Sequence, residues 1–188
     1  MLYLISGASR AGKTIIAKEL SIQLGISYFS LDWLIMGFTN GLEEYGIHDR
    51  LFPDEIAERA WSFIKAMFES MIWGEEDYII EGEALLPELI IELMDKHPGK
   101  IKICFVGFTD VDVSGKVKEI KRFSEGTKDW LTEESDQYII DHVKNMIAHS
   151  RMIKKSCNLC GLTYFDTSTN FRENIEAAKQ YLIAETAD

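Results

Sequence analysis

The chain has 188 residues, of which 46% are hydrophobic, and this size suits one well-buried domain better than two independent ones. Its formal net charge of −11 disfavours polyanions such as duplex nucleic acid, so any bound anion must be held at a focused local site. No apolar run approaches the roughly 20 residues of a membrane span, and no secretion signal follows Met1, so we expect a cytoplasmic protein without membrane or nucleic-acid partners.

Short runs of β-favouring residues alternate along the chain with longer segments of helical periodicity. The runs are nearly continuously apolar, which is typical of strands covered on both faces. They are LYLIS (2–6), ISYFSLD (26–32), DYIIEG (77–82), IKICFVGF (101–108) and LTYFD (162–166). Pro87 is placed to begin a helix, and Asn170 followed by Glu173 is typical of a capping box. The alternation predicts a single α/β domain over 1–188, with a parallel sheet and helices on both faces.

Two stretches, 37–53 and 110–132, fit this alternation poorly. Both are rich in glycine or charged residues, and both lie beyond the carboxyl ends of predicted strands. Open α/β sheets bind their ligands at that edge. We therefore predict a substrate-binding cap over 37–60 and a lid over 110–132, with plain surface loops as the alternative.

The first predicted strand ends in GASRAGKT, which matches the pattern GxxxxGK[ST] at every fixed position. In this pattern the glycines let successive main-chain N–H groups approach phosphate oxygens at a helix N-terminus. Lys13 then reaches the β- and γ-phosphates, and the Thr14 hydroxyl ligates Mg²⁺. The alternative is a flexible turn with Lys13 in solvent. We predict nucleotide contacts from the whole loop: Gly7, Ala8, Ser9, Arg10, Ala11, Gly12, Lys13 and Thr14.

Two acidic residues close the second and third predicted strands. Asp32, in SLDWL, should emerge at the same sheet edge as the glycine loop, where a carboxylate can accept the proton of an attacking hydroxyl. Its alternative role is to cap a helix that begins at Trp33. Glu81, in YIIEGE, is placed to hold Mg²⁺ through water. If the strand continued past Gly82, Glu83 would lie on the same face of the strand as Glu81. We expect Gly82 to end the strand, and this favours Glu81 as the metal ligand.

Transfer of a phosphoryl group also needs positive charge around it. The lid offers Lys116, Lys118, Lys121 and Arg122, and the long helix after it offers Arg151, although such residues often form only a solvated helix face. The two arginines are preferred because a guanidinium grips phosphate in a bidentate fork. The predicted catalytic residues are Lys13, Asp32, Arg122 and Arg151, and the predicted metal ligands are Thr14 and Glu81.

Cysteine and histidine contribute little to this hypothesis. Cys157 and Cys160 form one CxxC pair without further ligands at zinc spacing, which favours ordinary packing thiols over a metal or redox site. The four histidines, His48 and His149 among them, lack metal-like spacing, and we interpret them as structural or surface residues.

GASRAGKT and the strand–helix order resemble small P-loop kinases of the nucleoside-monophosphate-kinase-like group. That group includes adenylate kinase, shikimate kinase, chloramphenicol phosphotransferase and zeta-toxin-like kinases. The resemblance implies a sheet of about five parallel strands in the order 2-3-1-4-5, ATP and Mg²⁺ as cofactors, and transfer of the γ-phosphoryl group to a small acceptor. It also implies that Asp32 meets the acceptor, that Glu81 closes the third strand at the metal, that Arg122 belongs to a basic lid, and that 166–168 lie near the adenine.

The acceptor is the least determined part of the resemblance. EGEALLP stands where adenylate kinases carry DGFPR, and 37–60 offers only Arg50 and Arg59 to an anionic acceptor. Both departures weaken a nucleoside monophosphate as substrate, and EGEALLP with SLDWL looks more like the small-molecule and 2-phosphoglycerate-kinase-like members. The alternative function is a nucleotide-binding NTPase or switch without a small-molecule acceptor. A GTP-binding module is less favoured because the sequence lacks an NKxD-like motif. The oligomeric state stays open.

Overall fold

A parallel sheet forms the centre of the computed structural model, which describes residues 1–124 and 129–184. Within these residues the sheet has five strands in the order β2-β3-β1-β4-β5, and every neighbouring pair is parallel. The predicted fold class and strand order are therefore confirmed. The strands are β1 (Leu2–Gly7), β2 (Tyr28–Ser30), β3 (Tyr78–Glu81), β4 (Ile101–Gly107) and β5 (Tyr164–Asp166).

Helices cover both faces of this sheet, as the apolar runs predicted. They are α1 (Lys13–Leu24), α2 (Leu31–Gly41), α3 (Pro53–Trp73), α4 (Pro87–Lys96), α5 (Val113–Ser124), α6 (Asp136–Cys160) and α7 (Phe171–Ile183). One core packs α2, α3 and α4 against the sheet, the other packs α1, α5 and α7, and α6 contributes to both. Side chains of β1 alternate between the cores, with Leu2 and Leu4 in the first and Ile5 in the second. No described helix is both long and apolar enough to cross a membrane.

The crossing of α6 over the sheet fixes its position at the carboxyl edge. Ser150 Oγ accepts a hydrogen bond of 3.1 Å from the main-chain N–H of Phe108. A Cβ added to Gly107 would lie 2.8 Å from the same oxygen, so α6 approaches the end of β4 where that strand has no side chain. Residues next to Ser150 on α6 are consequently held beside the ends of the central strands.

Several local predictions need correction. The run 26–32 forms only the strand Tyr28–Ser30, because α2 already begins at Leu31. Ser30 is its N-cap, and the Ser30 hydroxyl oxygen accepts from the N–H of Asp32 at 3.4 Å. Asn170 does precede α7, but it has φ of 49° and makes no side-chain cap, so the predicted capping box with Glu173 is wrong.

The two stretches that fitted the alternation poorly are more ordered than open loops. The first, 37–53, contains the end of α2 and a 3₁₀ turn at Glu43–Tyr45 before α3 begins at Pro53. The second, 110–132, contains α5, which buries Val117 and Ile120, and part of a 3₁₀ turn at Trp130–Glu133. Residues 125–128 of the predicted lid lie outside the described residues. The roles of 37–60 as a cap and 110–132 as a lid stay predictions.

Candidate nucleotide and acceptor site

The loop 7–14 closes tightly over the end of β1. Gly7 has φ of 122°, and an added Cβ would lie 1.8 Å from the main-chain oxygen of Val106 on β4. Gly12 has φ of 104°, a conformation that side chains rarely adopt, and it caps α1. Both invariant glycines of the pattern thus stand where the backbone requires glycine. The loop then presents its main-chain N–H groups at the N-terminus of α1, as an anion cradle does.

Lys13 folds back over the loop and does not extend into solvent. Its side chain is only 6% exposed, and its Nζ donates a hydrogen bond of 2.8 Å to the main-chain oxygen of Ala8. The same Nζ lies 3.4 Å from Glu83 Oε1. The flexible-turn alternative therefore has no support in the structure. A buried ammonium held by one main-chain oxygen of its own loop and by the Glu83 carboxylate is placed to exchange them for phosphate oxygens.

Thr14 and Glu81 bring two oxygen ligands together beside Lys13. The Thr14 hydroxyl donates to Glu81 Oε1 at 3.3 Å, and Glu81 is buried at the end of β3. A hydroxyl and a carboxylate oxygen at the mouth of a phosphate loop suit Mg²⁺, whose other ligands are water and phosphate oxygens. Among 1–124 and 129–184 no group of three or more His, Cys, Asp or Glu could hold a metal ion by itself.

Asp32 lies in the first turn of α2, and not at the end of a strand. Its side chain is exposed, and Lys13, Glu83 and Glu81 lie within electrostatic reach of it. Desolvation is the largest influence and raises its pKa to about 6; Lys13 opposes the rise, while Glu83 and Glu81 add to it. Near neutral pH the carboxylate is therefore ionised but readily protonated, which suits a proton acceptor.

Arg10 is paired with the predicted lid, which the sequence did not indicate. Its guanidinium donates to both carboxylate oxygens of Asp129, at 2.8 and 2.6 Å. Asp129 also accepts hydrogen bonds from the Ser124 hydroxyl and, at 3.1 Å, from the N–H of Leu131. The hydrogen bond from Arg10 contributes most to lowering the pKa of Asp129 to about 2. The side chain of Arg10 is thus engaged by the protein, and its main-chain contact with phosphate stays a prediction.

The two predicted catalytic arginines, Arg122 and Arg151, make their described contacts elsewhere. Arg122 is exposed in the last turn of α5, with its guanidinium 5.9 Å from the centre of the Phe123 ring. The Nε–H of Arg151 donates to the main-chain oxygen of Thr109 at 2.8 Å. Arg151 lines a surface cavity of about 600 Å³ beyond β4, together with Asp110, Lys154 and Lys155. Their catalytic roles stay predictions.

The segment after β5, predicted to lie near the adenine, is tied to the segment after β4. The Thr109 hydroxyl donates to Asp166 Oδ2 at 2.5 Å, and the Thr109 N–H donates to Ser168 Oγ at 2.8 Å. Lys154 forms an ion pair with Asp166 at 2.9 Å. Burial tends to raise the pKa of Asp166, but hydrogen bonds from Ser168, Thr109 and Lys154 lower it overall. The network holds these two segments in one position relative to each other.

Two histidines of α6 lie within electrostatic reach of the site residues, although histidines were interpreted from the sequence as structural or surface residues. His142 makes ring contacts with Trp130 and Tyr138 and lies within electrostatic reach of Glu83 and Arg10. His149 lies within reach of Glu83, Lys13 and Asp54, and its Nε2 is buried with no described hydrogen-bond partner. Burial is the main cause that lowers both pKa values. Their spacing of two helical turns was the signal that could have placed them on one face.

The cysteines are free thiols that pack in or near the cores. Cys104 and Cys157 are buried, and Cys160 is partly buried. Desolvation raises the pKa of Cys157 to about 12, so this thiol stays protonated at neutral pH. The preference for packing thiols over a reactive pair is consistent with these positions.

Comparisons with known proteins identify the fold. No protein-family model matches the sequence, and no curated protein matches it. The shikimate kinase of Bacteroides thetaiotaomicron shares 18% identity with a TM-score of 0.55, over 97% of this chain and 96% of that one. A gluconokinase of Sinorhizobium meliloti shares 14% identity, again with a TM-score of 0.55, over 96% and 90%. A sugar kinase from Janibacter sp. shares 14% identity with a TM-score of 0.54, over 96% and 93%. The chain therefore has the fold of the small P-loop kinases.

Proposed function

We propose that the protein is an ATP-dependent kinase that transfers the γ-phosphoryl group to a small-molecule acceptor. The observation that carries this proposal is the convergence of Lys13, Thr14, Glu81 and Asp32 at the end of β1. A buried ammonium, a hydroxyl–carboxylate pair and a proton acceptor meet there within one loop and its neighbours. The fold shared with kinases that act on small molecules supports the same conclusion.

Each residue has a separate task in this proposal. The loop N–H groups and Lys13 bind and orient the β- and γ-phosphates. Thr14 and Glu81 hold Mg²⁺, which when bound neutralises developing charge on the phosphates. Asp32 accepts the proton of the acceptor hydroxyl as its oxygen attacks phosphorus. The pairing of Lys13 with Glu83 before nucleotide binds keeps the ammonium in place over the loop.

The test is ADP release from MgATP, with and without a panel of small hydroxyl compounds. The proposal predicts release that a particular acceptor stimulates and that Asp32→Asn reduces about 100-fold or more. Asp95→Asn, an exposed carboxylate near the end of α4, is the matched control and should behave as the wild type. Release that no acceptor stimulates and that Asp32→Asn leaves unchanged would refute the proposal.

One observation favours a second candidate, a nucleotide-dependent switch. The ion pair between Arg10 and Asp129 connects the nucleotide loop directly to the segment that follows α5. Movement of the loop on nucleotide binding or hydrolysis would be transmitted to that segment through the pair. The switch predicts slow ADP release independent of any acceptor, together with a protease-cleavage pattern around 113–133 that differs between ATP and ADP.

A further inference from the structure

The acceptor side of the site carries mostly negative charge. Asp32 is within electrostatic reach of Glu81 and Glu83. Asp54, at the start of α3, is within electrostatic reach of His149, on which Glu83 also acts. Lys13 is the cation that acts on Asp32 among the described residues, and it is already paired with Glu83 and the loop. An acceptor with its own carboxylate or phosphate would meet repulsion from several carboxylates here.

No described arginine is among the groups that influence Asp32, so the charge of the carboxylates is offset by Lys13. Arg59 of α3 donates to the main-chain oxygen of Gly46 at 2.8 Å and so fastens the turn at Gly46 to the helix. Arg10 is held by Asp129, and Arg151 by the carbonyl of Thr109. Arg50 is exposed in a turn. Recognition of an anionic acceptor needs a guanidinium or ammonium directed at it, and Arg59, Arg10 and Arg151 each already donate at least one hydrogen bond to another group.

His149 presents a different recognition group to the same space. Ser150, its neighbour, anchors α6 to β4 through the hydrogen bond from Phe108, so the position of His149 is fixed at the carboxyl edge of the sheet. Its Nε2 is buried and has no described partner. A buried imidazole nitrogen without a partner costs free energy that a bound hydroxyl or amine would recover. Because burial lowers its pKa, the ring is neutral at pH 7 and offers a hydrogen bond without charge.

We infer that the acceptor is an uncharged or cationic hydroxyl compound, such as a polyol or an amino sugar, and that His149 binds it through Nε2. This inference rests on the proposed kinase function. In the step, the acceptor oxygen forms a bond to the γ-phosphorus while the bond from that phosphorus to the β,γ-bridging oxygen breaks and ADP leaves. The proton of the acceptor hydroxyl passes to Asp32. The carboxylates around Lys13 then select against acceptors with carboxylate or phosphate groups.

The test supplies ATP labelled in its γ-phosphate and a deproteinised small-molecule extract divided by anion exchange at pH 7. The unretained fraction contains neutral and cationic compounds, and the retained fraction contains anions. We expect label to enter organic phosphate esters at least tenfold faster with the unretained fraction. His149→Gln should raise KM for the active fraction about tenfold, with KM for ATP and kcat nearly unchanged. His97→Gln is the matched control, because its Nε2 is also buried without a hydrogen-bond partner but lies just before β4 begins.

The outcomes separate this inference from the function on which it rests. Faster labelling of esters with the retained fraction would overturn the inference and leave the kinase proposal standing. Unchanged acceptor KM in His149→Gln would overturn the assigned role of His149. Labelling of no ester in either fraction, with MgATP binding confirmed by calorimetry, would overturn the kinase proposal and the inference together.

Discussion

Replacing Asp129 with asparagine removes the charge that holds Arg10 and keeps nearly the same side-chain volume. The side chains of Arg10 and Asp129 are only 24% and 12% exposed, and they meet through two hydrogen bonds of 2.8 and 2.6 Å. A carboxyl whose pKa falls from 3.8 to about 2 on folding corresponds to about 2 kcal/mol of stability. We therefore expect Asp129→Asn to lower the free energy of unfolding by about 2 kcal/mol and to lower Tm by about 4 to 8 °C relative to the wild type.

Urea unfolding of the nucleotide-free protein measures this loss directly, and a double-mutant cycle with Arg10→Gln isolates the pair. Asp141→Asn is the matched control, since Asp141 pairs with Lys144 at the surface and its side chain is 55% exposed. That control should change stability by less than about 0.5 kcal/mol. A coupling energy within about 0.3 kcal/mol of zero would refute a stabilising Arg10–Asp129 pair.

The same pair predicts a pH dependence of definite sign. The pKa of Asp129 is lower in the folded protein than in the unfolded chain, so the stabilisation is fully present above pH 3.8. It is lost as the pH falls toward about 2, where the folded carboxyl also takes up a proton. The difference in stability between the wild type and Asp129→Asn should therefore narrow over this range. A difference that stays constant down to pH 2 would contradict the assigned origin.

Four further predictions concern the loop and its neighbours. Lys13→Ala should weaken MgATP binding about tenfold or more in calorimetric titration, since charge-assisted contacts to phosphate are lost. Glu81→Gln should raise the Mg²⁺ concentration for half-maximal activity about tenfold, measured by magnesium titration at fixed ATP. Because folding raises the pKa of Asp32 to about 6, kcat/KM should fall as the pH drops below about 6, and a profile flat down to pH 5 would contradict its role. Gly7→Ala should lower the free energy of unfolding by about 3 kcal/mol or more, measured by thermal unfolding, because its Cβ would lie 1.8 Å from the main-chain oxygen of Val106 on β4. Gly37→Ala is the control, because its Cβ would meet nothing within 4 Å.

The local parts of the site were predictable because their physics is local. GASRAGKT fixes its own conformation through two glycines with positive φ, so its place between β1 and α1 followed from eight adjacent letters. The apolar runs predicted the strands because a sheet covered on both faces needs them. The strand order came from the resemblance alone, since no periodicity reports which strands are neighbours.

The features that the sequence did not predict depend on competition between strand and helix in one segment, or on contacts between residues far apart in the sequence. The run ISYFSLD (26–32) is apolar enough for a strand, but the hydroxyl of Ser30 caps a helix that begins at Leu31 and includes Asp32 in its first turn. Arg10 and Asp129 are 119 residues apart, and nothing near either residue indicates the other. His149 gained its position from the anchoring of α6 at Gly107, which is a property of the packed sheet.

Tracing the γ-phosphate of labelled ATP tests the central claim most directly. In the presence of a mixture of small hydroxyl compounds, the account predicts that label appears in an organic phosphate ester. It also predicts that Lys13→Ala lowers the yield of this product and that Asp32→Asn lowers its rate of formation about 100-fold or more. Label recovered only as inorganic phosphate, at a rate that the mixture and Asp32→Asn leave unchanged, would contradict it.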